Sequence, residues 1–146
     1  MMPHRISLSD ERTDFMNRQH LLDVAVEASE HAYTPYSHFK VGAALLASDG
    51  TIYTGCNIEN ASYSATNCAE RTAIFKAISE GCTDFKAIAI IGHKENEPLQ
   101  FCPPCGTCRQ VLSEFCEPDF EIILMNADKD IKTFTLAELL PEHFSL

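Results

Sequence analysis

Two short segments carry side chains able to do metal chemistry, Cys68-Ala69-Glu70 and Pro104-Cys105-Gly106-Thr107-Cys108. The second is a C-x-x-C pair, and the first places another cysteine ahead of a carboxylate. Three thiolates gathered around one ion suit zinc, which prefers soft sulfur ligands in tetrahedral geometry; three protein ligands leave the fourth position for water. Zinc with three thiolates still totals −1, so a site that must activate water needs part of that charge offset. Arg71, next to Glu70, is placed in sequence to hydrogen-bond the sulfurs. Glu70, two residues after Cys68, falls near the ion without having to bind it. A carboxylate there can take a proton from activated water and pass it on.

These groups meet only if the chain brings two helix starts together. Apolar residues at three- and four-residue steps predict a helix from Thr13 to about His31, ended at Tyr33-Thr-Pro-Tyr-Ser by Pro35. Phe39–Ala47 and Thr51–Asn57, joined through Ser48-Asp49-Gly50, read as a hairpin. A second helix runs from near Cys68 to Glu80, with Gly81 at the capping position. Lys86–Gly92 has no polar face and reads as a central strand covered on both sides. A loop over Lys94–Gln100 leads to a third helix from near Cys105 to before Pro118. Phe120–Asn126 and Ile131–Thr135 are strands about an Asp128-Lys-Asp turn, and Leu136–Leu140 is a final helix. The order αββαβαββα predicts a three-layer α/β/α sandwich around a mixed five-stranded sheet. A right-handed β-α-β crossover then brings the starts of the second and third helices to one end of the sheet. Helix N-termini carry partial positive charge, which favours thiolates there.

The chain has 146 residues, which predicts one domain over 13–146, behind a flexible segment over 1–12. A net charge of −10 without any run of Lys or Arg argues against long nucleic acids as substrate. The seven cysteines cannot all pair into disulfides. With no signal-peptide pattern and no membrane-length apolar run, they predict a cytoplasmic protein whose cysteines bind metal or act in catalysis.

Four segments resemble the small homotetrameric cytidine deaminases: Tyr36-Ser-His-Phe-Lys-Val-Gly-Ala-Ala-Leu45, Gly55-Cys-Asn-Ile-Glu-Asn-Ala-Ser-Tyr63, Cys68-Ala-Glu-Arg-Thr-Ala73 and Pro104-Cys-Gly-Thr-Cys-Arg-Gln110. The ending Leu139-Leu-Pro-Glu-His-Phe144 is also similar. The resemblance implies a cytidine deaminase-like fold, one Zn2+ per subunit and a homotetramer. It implies hydrolysis of cytidine and deoxycytidine to uridine and deoxyuridine with release of ammonia, in pyrimidine salvage. By the same resemblance Cys68, Cys105 and Cys108 are the zinc ligands and Glu70 the proton shuttle. Asn57 and Glu59 match the residues that hydrogen-bond the ribose hydroxyls. Phe39 matches an aromatic packed near the base, and Ala69 a backbone donor to the pyrimidine carbonyl. Tyr63 and Phe144 match positions contributed across subunit interfaces. The partner is a small nucleoside, with no nucleic acid and no membrane.

Other readings stay open on the sequence. Cys102-x-x-Cys105 is a second C-x-x-C, so Cys102 could replace a ligand or complete a structural zinc site as a fourth. The same catalytic motifs suit a deaminase of another cytosine nucleoside, such as a nucleoside antibiotic. A non-enzymatic zinc or redox protein is the alternative of a different class. Asn57 and Glu59 could simply end a strand, and Phe39 could be core.

Overall fold

Asp49-Gly50 is the turn of the hairpin that joins residues 39–47 to residues 51–56. The computed structural model describes residues 4–5 and 15–146. Its strands are β1 (His4–Arg5), β2 (Phe39–Ala47), β3 (Thr51–Cys56), β4 (Phe85–Lys94), β5 (Glu121–Met125) and β6 (Ile131–Thr135), and its helices α1 (Phe15–Ser29), α2 (Ala69–Ser79), α3 (Gly106–Phe115) and α4 (Leu136–Leu139). Tyr63–Ala65 adds one turn of 3-10 helix. The sheet order is β1-β3-β2-β4-β5-β6. The five expected strands form its body. The sixth, β1, pairs His4 with Ile52 and Arg5 with Thr51 along the outer edge of β3. The flexible segment expected over 1–12 otherwise lies outside the described residues.

The sheet is buried on both faces, and alternation along the strands separates two cores. On β4, Ile88 and Ile90 point with Ala43 and Leu45 of β2 toward α2 and α3, where they meet Ala73, Ile74, Ala77 and Leu112. Ala87, Ala89 and Ile91 point the other way, with Ala44 and Leu46, onto Leu21, Leu22 and Ala25 of α1. A period-two strand covered by a helical layer on each side reads as an unbroken apolar run, which is why β4 shows no polar face.

The register also fixes where the helices start. β2 is antiparallel to both β3 and β4, and β4 is parallel to β5. β3, β4 and β5 therefore point the same way. α2 follows β3 and α3 follows β4, so both helices begin at the same end of the sheet. Their caps are Cys68 and Cys105. α2 lies tight on β3 because residue 55 is glycine: a methyl group there would run into the Ala69 carbonyl and lie 2.6 Å from the Ala73 amide nitrogen. Gly81, at φ 91°, takes the left-handed position after α2. At the C-terminal end, Thr135 and Glu138 form a capping box that starts α4.

Candidate active site

Cys68 and Cys105 hold extended backbone as the caps of α2 and α3, and neither side chain caps its own helix. Their sulfurs are left to turn toward each other across the gap between the two helix starts, 3.9 Å apart. Cys108, one turn into α3 and fully buried, brings a third sulfur 3.5 Å from that of Cys105. All three lie within 4.8 Å of one another. Ligands about 2.3 Å from a tetrahedral zinc stand roughly 3.8 Å apart, so the trio fits this ion in spacing as well as in donor type. Cys102 does not join that group. Burial pushes its thiol up to about 12, away from thiolate character.

Charge in the cluster is uneven. The hydrogen bond with Cys108 holds the Cys68 thiol down at about 5, against burial, and the Arg71 guanidinium helps. Its Nη2 donates to Cys68 Sγ at 3.1 Å. The same sulfur–sulfur hydrogen bond, together with burial, pushes Cys108 up. Within the pair the surroundings favour the charged form at Cys68 over Cys108. Arg71 Nε is buried without a hydrogen-bond partner. That cost is tolerated where the other end of the fork meets a charge.

Glu70 is 5% exposed on the first turn of α2. Burial raises its carboxyl to about 7, opposed by a hydrogen bond with Cys108 and reinforced by the charge on Cys68. A carboxyl poised near neutrality can both take and give a proton. Ala69, between Cys68 and Glu70, is fully buried.

The remaining candidates lie at the start of β2, in the segment after β3 and, for Phe144, after α4. Asn57 donates from Nδ2 to the Phe39 carbonyl at 2.8 Å and accepts the Val41 N–H at 2.9 Å, so its amide clips the start of β2. A second N–H and a second lone pair stay open on that amide. Glu59 Oε1 accepts the N–H groups of Tyr36 and Ser37 at 3.0 and 3.1 Å. Hydrogen bonding from Ser37 keeps the carboxylate below its usual range. A cavity of about 400 Å³ opens beside Glu59, walled by Tyr36, Ser37, Asn60, Tyr63 and Thr66. Phe39 is half-buried. Tyr63 and Phe144 are not drawn into this chain's cysteine cluster: they are 83% and 58% exposed.

Three positioning contacts escaped the sequence. Arg109 donates to the Pro104 carbonyl at 2.8 Å and to the Leu139 carbonyl at 2.7 Å, tying the loop before Cys105 to the C-terminal segment. His38, in left-handed backbone at φ 56°, lies 3.3 Å from a Glu95 oxygen and joins the Tyr36-Ser37 turn to the loop after β4. Gly92 faces Phe39 and Cys102. A glycine at the end of an apolar strand is the kind of signal that marks a close approach, while Arg109 and His38 gave none. A second cavity, about 510 Å³, lies between the end of α3 and Leu136–His143 and contains none of the candidate residues.

A buried carboxylate beside three converged sulfurs at paired helix starts is the make-up of a site for metal-assisted hydrolysis. Residues 16–124 match the family described as the cytidine and deoxycytidylate deaminase zinc-binding region. The chain belongs to this family. It is 54% identical over 130 residues to a cytidine deaminase of Sporosarcina psychrophila, a match spanning 89% of this chain and 93% of the relative. A cytidine deaminase of Halalkalibacterium halodurans is 53% identical over 89% of this chain and 96% of its own. The crystal structure of a cytidine deaminase from Burkholderia pseudomallei superposes with a TM-score of 0.78 at 46% identity, over 86% of this chain and 98% of that one. Among the described residues, no helix is long and apolar enough to cross a membrane.

Proposed function

We propose that the chain hydrolyses cytidine and deoxycytidine to uridine and deoxyuridine, releasing ammonia, in cytoplasmic pyrimidine salvage. The observation that carries the proposal is Glu70, buried on the first turn of α2 beside three sulfurs spaced for zinc. Cys68, Cys105 and Cys108 would hold one zinc per subunit, with Arg71 offsetting part of their charge. Zinc, when bound, supplies the Lewis acidity that lets water act as a nucleophile near neutral pH.

The chain's own groups do the rest. Glu70 takes the proton from water and gives it to ring N3 of the cytosine, which makes C4 open to attack. Once the water oxygen has bonded to C4, Glu70 carries the remaining proton of that hydroxyl to the exocyclic amino group; the C4–N bond breaks, the C4 carbonyl forms and ammonia leaves. A carboxyl at about 7 suits both transfers. The Ala69 N–H, on the same helical turn, donates to the pyrimidine carbonyl and fixes which edge of the ring faces Glu70. Asn57 and Glu59 hold the ribose hydroxyls, so that binding of the sugar aligns C4. The Glu59 carboxylate disfavours a phosphate nearby, which selects nucleosides over nucleotides. Phe39 packs against the base. Tyr63 and Phe144, exposed on a single chain, fit a homotetramer in which neighbours complete each site.

The test is Glu70→Gln in the zinc-loaded protein. Ammonia release from cytidine should fall by about 10²–10⁴-fold while zinc content stays at that of the parent. Near-parental turnover would remove Glu70 from the reaction.

A further inference from the structure

We infer that Gly92 and Cys102 set the position of the Phe39 ring, and through it the fit of the nucleobase. The inference rests on the reading of Phe39 as the aromatic that packs against the base. Gly92 pairs with Val41 in the regular ladder between β4 and β2. Its backbone is outside the left-handed region, unlike Gly50 and Gly81, so no turn or positive φ calls for glycine there. The reason is space. Alternation along β4 puts position 92 on the face of Ile88 and Ile90, the face of α2 and α3. Phe39, two residues before Val41 on β2, shares that face.

A side-chain carbon at position 92 would lie 2.8 Å from Cys102 Sγ and 2.9 Å from both Cys102 Cβ and Phe39 Cε1. Carbon atoms in good contact stand about 3.5–4.0 Å apart. The thiol and the ring edge thus converge on the volume that a β-carbon would fill. The approach of Cys102 is built into the backbone, since Gln100 N–H donates to the Gly92 carbonyl at 3.0 Å and lays that segment beside the end of β4. The Phe39 backbone is also held, by Asn57 at its carbonyl and by Ser37 Oγ, which accepts its N–H at 3.0 Å. With the Phe39 backbone pinned, the ring is the part of Phe39 that crowding at position 92 displaces, alongside the Cys102 side chain. Cys102 stands apart from the three clustered sulfurs. Its part is that of a small apolar wall.

The experiment uses the zinc-loaded protein with cytidine and compares Gly92→Ala, Phe39→Leu and the double variant, with zinc content measured on each. Gly92→Ala should raise KM about tenfold with kcat within about threefold and zinc content unchanged. In the Phe39→Leu background, where no ring edge meets position 92, adding Gly92→Ala should change KM by less than about twofold. Cys102→Ala gives a second reading that adds no atom: KM should rise through a loosened ring while zinc content holds. Parental KM in both Gly92→Ala and Cys102→Ala would overturn the inference. So would a KM rise that comes with zinc loss, or one that persists unchanged beside Phe39→Leu, since Gly92 would then act by another route. A zinc-loaded parent unable to deaminate cytidine would defeat the underlying reading, and this one with it.

Discussion

Replacing Arg71 by Ala should weaken zinc binding without unfolding the protein. Arg71 Nη2 donates to Cys68 Sγ at 3.1 Å, and Cys68 is the sulfur that the surroundings favour as thiolate. A hydrogen bond to a charged partner contributes about 1.5–3 kcal/mol. Arg71 is only half-buried, so solvent screening favours the lower half of that range. At about 1.4 kcal/mol per factor of ten, the zinc dissociation constant should rise about ten- to fortyfold, within the range for losing an outer partner of a metal ligand. Arg71→Lys should fall between, because the ammonium keeps the charge and loses the fork. The assay is competition for zinc against a chelator of known affinity, with circular dichroism to confirm that α2 persists. Zinc affinity within about twofold of the parent in Arg71→Ala, with α2 intact, would refute the claim that this guanidinium offsets the thiolate charge.

Gly55→Ala should destabilise the fold by about 1–3 kcal/mol, because a methyl group there meets the Ala69 carbonyl and the Ala73 amide; urea unfolding measures it, and unchanged stability would mean that α2 is not seated on Gly55. Sedimentation of the zinc-loaded protein should give four times the 16.3 kDa chain mass. A fully active monomer would remove the reason for assigning Tyr63 and Phe144 to neighbouring sites.

The frame of the fold was legible because its punctuation is local. Asp49-Gly50 forces the hairpin, Gly81 closes α2, and Cys68 and Cys105 occupy caps at which the apolar period changes. The convergence of the three sulfurs followed from strand direction alone. Once β3, β4 and β5 run the same way, helices that follow β3 and β4 must begin together. What stayed hidden depends on register and on distant neighbours. His4 and Arg5 join the edge of β3 through backbone pairing, and two residues carry no periodicity. Asn57 holds residues 39 and 41 only because β2 and β3 pair as they do. That contact makes Asn57 a clip on the start of β2 as well as the residue that follows β3. Arg109 reaches Leu139, thirty positions along the chain, and no local pattern announces such a contact. Cys102 and Gly92 meet across a loop, so the second C-x-x-C in the sequence could be set aside only in three dimensions.

The central claim is zinc-dependent deamination of a cytosine nucleoside, and the direct measurement follows cytidine absorbance together with ammonia release. It compares the protein as purified, after removal of metal by a chelator, and after zinc is added back. Loss of absorbance with matching ammonia should vanish on chelation and return with zinc. A zinc-loaded protein that leaves cytidine and deoxycytidine unchanged, or one whose activity survives complete removal of metal, would contradict it.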